Sequence, residues 1–175
     1  EFRELKEGTP ATIICDNNLL ASSQKHFDTV VDRLKLFKGV DFNQGLDARL
    51  LNTHHIDRLQ ELELPILRFA WDNTATESLV MDAIDRVLDA GFPKSRVYCY
   101  ILYGFDDTPA DALYRAETIK TKGLMPNVQR FQPLNTLAKD SFVAPTWDKR
   151  ELHRFHRYWS RQIWYKKIPY AEFVG

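Results

Sequence analysis

Residues 40–51 read V-D-F-N-Q-G-L-D-A-R-L-L, and their pattern recurs along the whole chain. Val40 and Phe42 alternate with polar residues, which is the period-2 pattern of a β-strand. The strand then runs into a polar segment that contains Asp47 and Arg49, with more polar groups than a buried core needs. Either these groups face a ligand at the carboxyl end of a strand, or Asp47 and Arg49 form a structural ion pair in a polar loop.

The succession of strand, polar residues and helix recurs along the chain and gives five strands that alternate with four helices. Apolar, β-branched runs predict strands at residues 11–15, 40–44, 66–71, 97–102 and 128–131. The polar residues that follow these strands are Asp16, Asn17 and Asn18; Asn43 and Gln44; Asp72 and Asn73; Asp106 and Asp107; and Gln132. Segments with an apolar helical stripe separate the strands, at about 30 residues per unit, as parallel βαβ construction requires.

This alternation predicts an α/β fold with a parallel sheet. No G-x-G-x-x-G follows the first strand, so an open dinucleotide-binding sheet lacks its fingerprint. Polar loops at the carboxyl ends of several strands are the means by which a (β/α) barrel builds its site. We therefore predict a parallel-stranded partial (β/α) barrel of about five strands over residues 11–135, within a single domain that spans residues 1–175.

Local capping signals predict where the helices begin. Asn52 or Thr53 caps the helix after the second strand, and Thr74-x-x-Glu77 fits a capping box before the next helix. Thr108 precedes a proline, which suits the first position of a helix.

Residues 136–175 do not continue the alternation of strands and helices. We predict that they form an extension whose helix, residues 148–167, packs on the barrel. The apolar stripe of this helix includes the aromatic residues Phe155, Tyr158, Trp159 and Trp164, and seven basic side chains are interleaved with them. Such interleaving is found on nucleic-acid-binding surfaces. The favoured alternative is that the aromatic rings pack inward while the cations remain in water. The sequence offers no evident set of ligands for a metal, so no metal site is predicted.

Composition indicates a soluble globular domain without a strong electrostatic preference. Lys plus Arg and Asp plus Glu both number 24, so net charge favours no particular partner. The apolar runs are too short for a membrane span and the first residues lack the h-region of a signal peptide, so we expect no membrane partner and a cytoplasmic location. Cys15 and Cys99 each lie in an apolar run, which favours two buried free thiols.

Five phrases, taken in order, resemble the later part of radical SAM (S-adenosylmethionine) enzymes. They are D-N-N-L-L-A-S at residues 16–22, F-N-Q-G-L-D-A-R-L-L at 42–51, R-F-A-W-D at 68–72, Y-G-F-D-D-T-P-A-D-A-L-Y-R at 103–115 and R-Y-W-S-R at 157–161. The likeness extends from about residue 13 to residue 173. It implies a partial barrel of six strands, S-adenosylmethionine as cofactor, and a [4Fe–4S] cluster on a CxxxCxxC loop after the first strand.

The loop that would hold this cluster is absent from the sequence. Cys15 and Cys99 cannot supply three adjacent thiolates, so a [4Fe–4S] cluster is expected only if a further N-terminal segment supplies the cysteines. The resemblance therefore begins at the second strand of the family. Either the chain begins late, or it is a cluster-free descendant; in both cases we expect the 175 residues alone to be inactive in radical chemistry.

The resemblance implies cofactor-binding roles for ten residues. Three match the loop that holds the methionine amino group, although they depart from the common Gly-Gly-Glu form: Asp16, Asn17 and Asn18. Three match polar groups that face the substrate or the carboxylate of SAM: Asn43, Gln44 and Arg49. Arg49 has the chemistry to clamp a carboxylate.

The other four residues correspond to the nucleoside side of the pocket. Asp72 and Asn73 stand where the family binds the ribose hydroxyls. Gly104 belongs to the segment beside adenine, where glycine permits a close backbone approach, and Gln132 aligns with the backbone on the adenine side.

Three functional hypotheses follow. The first is a radical SAM-like barrel domain that retains part of a SAM or nucleoside pocket. The second is a non-enzymatic module that binds nucleic acid or protein through the basic aromatic helix, and the third is a cluster-free barrel enzyme. Without a first unit, the strand at residues 11–15 has an exposed edge, so we expect residues 1–10 to cover it or a homodimer to form there.

Overall fold

The computed structural model describes residues 12–15 and 18–175, and within them it contains five parallel strands. They are β1 (Ile13–Ile14), β2 (Asp41–Phe42), β3 (Leu67–Ala70), β4 (Val97–Tyr103) and β5 (Met125–Arg130). The first two form a small sheet, and the last three form a second sheet in the order β3-β4-β5. The α/β class and the parallel strands are confirmed, and the described strands do not form a closed barrel.

In the described part of the chain, one isolated β-bridge connects the two sheets. Leu46 pairs in parallel with Phe69, and the Leu46 N–H donates to the carbonyl of Arg68 at 2.7 Å. The segment after β2 therefore lies against β3. Strands β1 to β5 consequently follow one another in chain order, without a reversal of strand order.

Six α-helices connect and follow the strands in the described part of the chain. They are α1 (Gln24–Leu34), α2 (Thr53–Gln60), α3 (Glu77–Asp89), α4 (Pro109–Thr121), α5 (Lys149–Trp159) and α6 (Gln162–Lys167). Asn52 caps α2, and Thr108 caps α4 through a capping box with Asp111. The predictions of a cap at Asn52 and of proline at the first position of α4 are confirmed.

The capping box predicted for Thr74 and Glu77 is wrong. Residues Thr74–Thr76 form a 3₁₀ turn, and α3 begins only at Glu77 without a side-chain cap. The carbonyl of Asn73 accepts from the Trp71 Nε1–H at 2.7 Å and from the Thr76 hydroxyl at 3.0 Å. The Trp71 contact fixes the Asn73 carbonyl, and the Thr76 contact holds Thr76 close to it, which favours the tighter turn.

The three-stranded sheet is covered on one face and half-exposed on the other. In β4, Val97, Cys99, Ile101 and Tyr103 are buried, whereas Tyr98, Tyr100 and Leu102 between them are half-buried. Helix α4 contacts β4 and β5, and α3 contacts β3. Parallel sheets usually have both faces covered, so the half-exposed face is a distinct feature of this fold.

The C-terminal helix predicted at residues 148–167 is broken in two. Arg161 has an extended backbone between α5 and α6. In an unbroken helix, positions six apart point to different faces, but the break allows Tyr165 to stack on Trp159 with a centroid distance of 5.3 Å. Burial of both rings against the same core stabilises the break.

The aromatic residues of this region pack inward, as the favoured alternative predicted. Phe155, Tyr158, Trp159 and Tyr165 are buried, and Trp164 is half-buried. The cations Lys149, Arg150, Arg157, Arg161, Lys166 and Lys167 are exposed.

The two cysteines differ in their surroundings. Both are free thiols; Cys99 is buried in β4, whereas Cys15 is exposed. The prediction that Cys15 is buried is wrong, because it directly follows β1 at the edge of the two-stranded sheet, and Ile13 in that strand is also 59% exposed. Among the described residues, no helix is long and apolar enough to cross a membrane.

Candidate functional site

A pocket of about 270 Å³ opens at the carboxyl ends of β2 and β3, and we name it the carboxyl-edge pocket. Its polar lining consists of Asn18, Gln44, Asp47, Arg49, Asp72 and Asn73, and the Thr76 hydroxyl adds to it. Five of the ten predicted site residues are therefore together: Asn18, Gln44, Arg49, Asp72 and Asn73. Ala70 and Val80 contribute an apolar wall.

The turn after β2 shapes one side of the pocket. Gly45 has a φ angle of +82°, which favours glycine, and a Cβ at this position would lie 3.4 Å from the carbonyl of Arg68. The next residue, Leu46, donates its N–H to that same carbonyl. Gly45 was not among the predicted site residues, although its place in the Asn-Gln-Gly segment was a usable signal.

Asp47 and Arg49 form the structural ion pair that was one of the two interpretations of this stretch. Arg49 Nε lies 2.8 Å from Asp47 Oδ1, and Nη2 lies 2.7 Å from Oδ2. The Arg49 N–H also donates to Asp47 Oδ1, and the Asn18 side-chain amide donates to Oδ2 at 3.0 Å. The hydrogen bonds from the Arg49 side chain lower the pKa of Asp47 below its ordinary value, so this carboxylate is ionised at neutral pH.

The pair leaves Arg49 accessible. Two of its three guanidinium nitrogens contact Asp47, and 62% of its side chain is exposed. The negative charge of Asp72 across the pocket adds to the effect of Asp47 in raising the pKa of Arg49. A ligand carboxylate would therefore meet a guanidinium that is already held in place by Asp47.

The wall formed by Asp72 and Asn73 is fixed from behind by a buried arginine. Arg115 Nη1 donates to the carbonyls of Trp71 at 2.8 Å and of Asp72 at 2.9 Å. The side chains of Asp72 and Asn73 are exposed and line the pocket. Arg115 was not predicted as a site residue; the signal was an arginine between Ala112 and Ala116 on the buried stripe of α4.

Three predicted site residues do not line the carboxyl-edge pocket. Asn43 is exposed, and its carbonyl accepts from the Tyr100 hydroxyl at 3.1 Å. Gly104 faces α5, since a Cβ there would lie 2.7 Å from Leu152 Cδ2. Gln132 exchanges hydrogen bonds with Asp140 at 3.0 and 3.1 Å. Asp16 and Asn17 lie outside the described residues.

The arrangement suits binding better than acid–base catalysis. It combines carboxylates, amides and a guanidinium with an apolar patch, as ligand pockets commonly do. A general base works best with a pKa near the operating pH, and the lowered pKa of Asp47 moves it away from that range. Within residues 12–15 and 18–175, no group of three or more His, Cys, Asp or Glu side chains is placed to hold a metal.

Comparison of the chain with models of protein families, with curated proteins and with solved structures gives no significant match.

Proposed function

We propose that this chain is a radical SAM-like partial barrel that retains part of a pocket for SAM or a related nucleoside. The observation that carries the proposal is the carboxyl-edge pocket. It gathers residues that follow three consecutive strands, and the resemblance had implied cofactor contacts for five of them. In barrel enzymes, the residues that line the site typically come from the ends of several different strands.

The order of the strands supports the barrel part of the proposal. In a doubly wound sheet the strand order reverses, and the ligand binds at the reversal. Here β1 to β5 follow one another without a reversal. The half-exposed face of the second sheet carries polar side chains, namely Arg68, Tyr98, Tyr100, Asn127 and Gln129. Such a face is suited to line the inside of an open barrel.

The charges of the pocket match the amino-acid part of SAM. The Asp47–Arg49 pair presents one carboxylate and one guanidinium side by side. An amino-acid moiety carries an ammonium and a carboxylate, so it is complementary to such a pair. Asp72 and Asn73 on the opposite wall offer acceptors for ribose hydroxyls.

The size of the pocket limits how much of SAM it holds. Its volume of about 270 Å³ is just below the roughly 300–1,000 Å³ of sites for drug-sized ligands. The described residues therefore suit part of the molecule. SAM bound next to a reduced [4Fe–4S] cluster supplies a radical, and the two cysteines of this sequence cannot ligate such a cluster in the manner of the family. We therefore propose ligand binding, without radical chemistry, for these 175 residues.

Titration calorimetry with SAM and with adenosine tests the proposal. Asp72→Ala removes an acceptor from the pocket, and we expect about tenfold weaker binding, which corresponds to one charged hydrogen bond. Asp106→Ala is the matched control, because Asp106 is an exposed carboxylate after β4 that does not line the pocket. The proposal would be contradicted if neither SAM nor adenosine binds, or if Asp72→Ala and Asp106→Ala lose equal affinity.

The exposed cations of α5 and α6 support a second candidate, binding of single-stranded nucleic acid. The buried aromatic rings are not free to stack on bases, so only phosphate contacts would contribute. Such binding should weaken steeply with salt. If RNA does not bind at low salt, this candidate is excluded. The third hypothesis, a cluster-free barrel enzyme, gains no support from Asp47, because the lowered pKa of this carboxyl makes it a weak general base.

A further inference from the structure

A second cavity lies at the amino ends of β4 and β5, at the opposite edge of the sheet from the carboxyl-edge pocket. We name it the lysine cavity, after Lys94, Lys120 and Lys166 in its lining. Its volume is about 610 Å³, more than twice that of the carboxyl-edge pocket. Lys94 precedes β4, Lys120 lies in the last turn of α4, and Lys166 belongs to α6, so three separate elements converge there.

The three ammonium groups retain donors for a ligand. Lys94 Nζ donates to the carbonyl of Lys122 at 3.1 Å, and Lys166 Nζ donates to Gln162 Oε1 at 2.7 Å. Lys120 Nζ lies 3.1 Å from a carboxylate oxygen of Glu117. An ammonium group has three N–H donors, so each of the three can still bind an anion. No acidic side chain among the described residues lines the cavity, although Glu117 pairs with Lys120 just outside it, so Lys94 and Lys166 supply most of its positive charge.

The lysine cavity also has an apolar part that is already ordered. It is formed by Tyr98, Leu124, Met125 and Tyr165. The Tyr165 hydroxyl contacts Met125 Sδ at 2.9 Å, and its ring stacks on Trp159. Because one face of the ring and its hydroxyl are already held, the wall needs no rearrangement to receive a ligand.

We propose that the lysine cavity binds an organic phosphate monoester. The phosphate is held by Lys94, Lys120 and Lys166, and the apolar group of the ester lies on Met125 and Tyr98, which are half-buried in the lining. Lysine binds phosphate as a compact charge, and three lysines with an apolar wall match a dianion that carries a flat apolar group. The site is independent of the carboxyl-edge pocket and of any role in binding SAM.

Titration calorimetry with phenyl phosphate tests this proposal in the intact chain. We expect Lys94→Gln and Lys166→Gln each to weaken binding about fivefold, as the loss of one charge near a phosphate in water implies. Lys149→Gln is the matched control; Lys149 is exposed at the start of α5 and does not line the cavity. Inorganic phosphate should bind more weakly than phenyl phosphate, because it gains nothing from the apolar wall.

A labelling experiment locates the site without a substitution. Acetic anhydride acetylates accessible lysines, and mass spectrometry measures the extent of acetylation at each lysine. Phenyl phosphate should reduce the acetylation of Lys94 and Lys166 and leave the acetylation of Lys149 unchanged. The proposal is overturned if phenyl phosphate does not bind at millimolar concentration, if all three variants lose affinity equally, or if inorganic phosphate binds as tightly. None of these results would alter the SAM titration, which depends on Asp72.

Discussion

Arg115 and Asp107 form a buried ion pair, with Arg115 Nη2 at 2.5 Å from Asp107 Oδ2. The Nη1 atom of Arg115 donates to three carbonyls at the carboxyl ends of β3 and β4. Asp107 Oδ1 accepts from the Gly104 N–H and from the Trp147 Nε1–H. The pair thus connects the wall of the carboxyl-edge pocket to the C-terminal region.

Replacement of Arg115 by Met should strongly destabilise the fold. The change leaves Asp107 buried without its cation and three carbonyls without their donor. We expect the free energy of unfolding to fall by about 3–5 kcal/mol, measured by urea denaturation. Lys122→Gln is the control, since Lys122 pairs with Asp85 at the surface and such pairs contribute about 1 kcal/mol or less. Equal losses in the two variants would contradict the structural role of Arg115.

Gly104→Ala should cost more stability than Gly39→Ala. Both glycines have positive φ angles, of +78° and +68°. A Cβ at Gly39 meets nothing within 4 Å, whereas one at Gly104 would lie 2.7 Å from Leu152 Cδ2. The backbone strain of about 1–2 kcal/mol is common to both variants, so the difference between their urea midpoints reports the clash with α5. A smaller loss for Gly104→Ala would show that Gly104 does not contact that helix.

The stability should fall as the pH drops below about 6.5, the ordinary histidine pKa in an unfolded chain. Burial lowers the pKa of His55 below its ordinary value, so the unfolded chain binds the proton more readily than the folded chain. Stability is therefore lost as the pH falls from the unfolded pKa towards the lower folded pKa. Urea midpoints at about pH 7.5 and about pH 5.5 measure the effect. His55→Gln should reduce the dependence of the urea midpoint on pH; an unchanged dependence in that variant would assign the effect to another group.

A thiol reagent should distinguish the two cysteines. Cys15 is exposed and Cys99 is buried, and burial raises the pKa of the Cys99 thiol far above its ordinary value. Under native conditions we expect one fast-reacting thiol, and a second only after denaturation. Cys15→Ser should abolish the fast phase. Rapid reaction of two thiols in the native protein would contradict the burial of β4.

The edge of β1 is the expected place for self-association. Thr12 and Ile14 accept hydrogen bonds from β2, so the other side of the strand is directed away from that sheet, and Ile13 is 59% exposed. An exposed strand edge promotes pairing with another chain. Sedimentation should show a dimer, and Ile13→Lys should shift it toward monomer. A monomer at all concentrations would contradict this prediction; coverage by residues 1–10, the alternative, lies outside the described residues.

Part of the pocket could be predicted because its residues follow predicted strands directly. Gln44, Asp72 and Asn73 stand at the ends of β2 and β3, and parallel strands bring their carboxyl ends to one edge. Gly104 and Gln132 also follow strands, yet they contact α5 and a loop instead. Where the C-terminal region packs depends on contacts between distant residues, and no local pattern records them.

The sequence by itself determined the α/β class, the five strands and most helix starts, because periodicity, caps and turn residues act within a few positions. Only the tertiary structure decided which contacts the polar residues of segment 40–51 make. Asp47 holds Arg49 in an ion pair and Gly45 lies against the carbonyl of Arg68. It also decided the break between α5 and α6, since Tyr165 gains more by stacking on Trp159 than an unbroken helix would allow. Both outcomes depend on packing between elements, which local patterns do not encode.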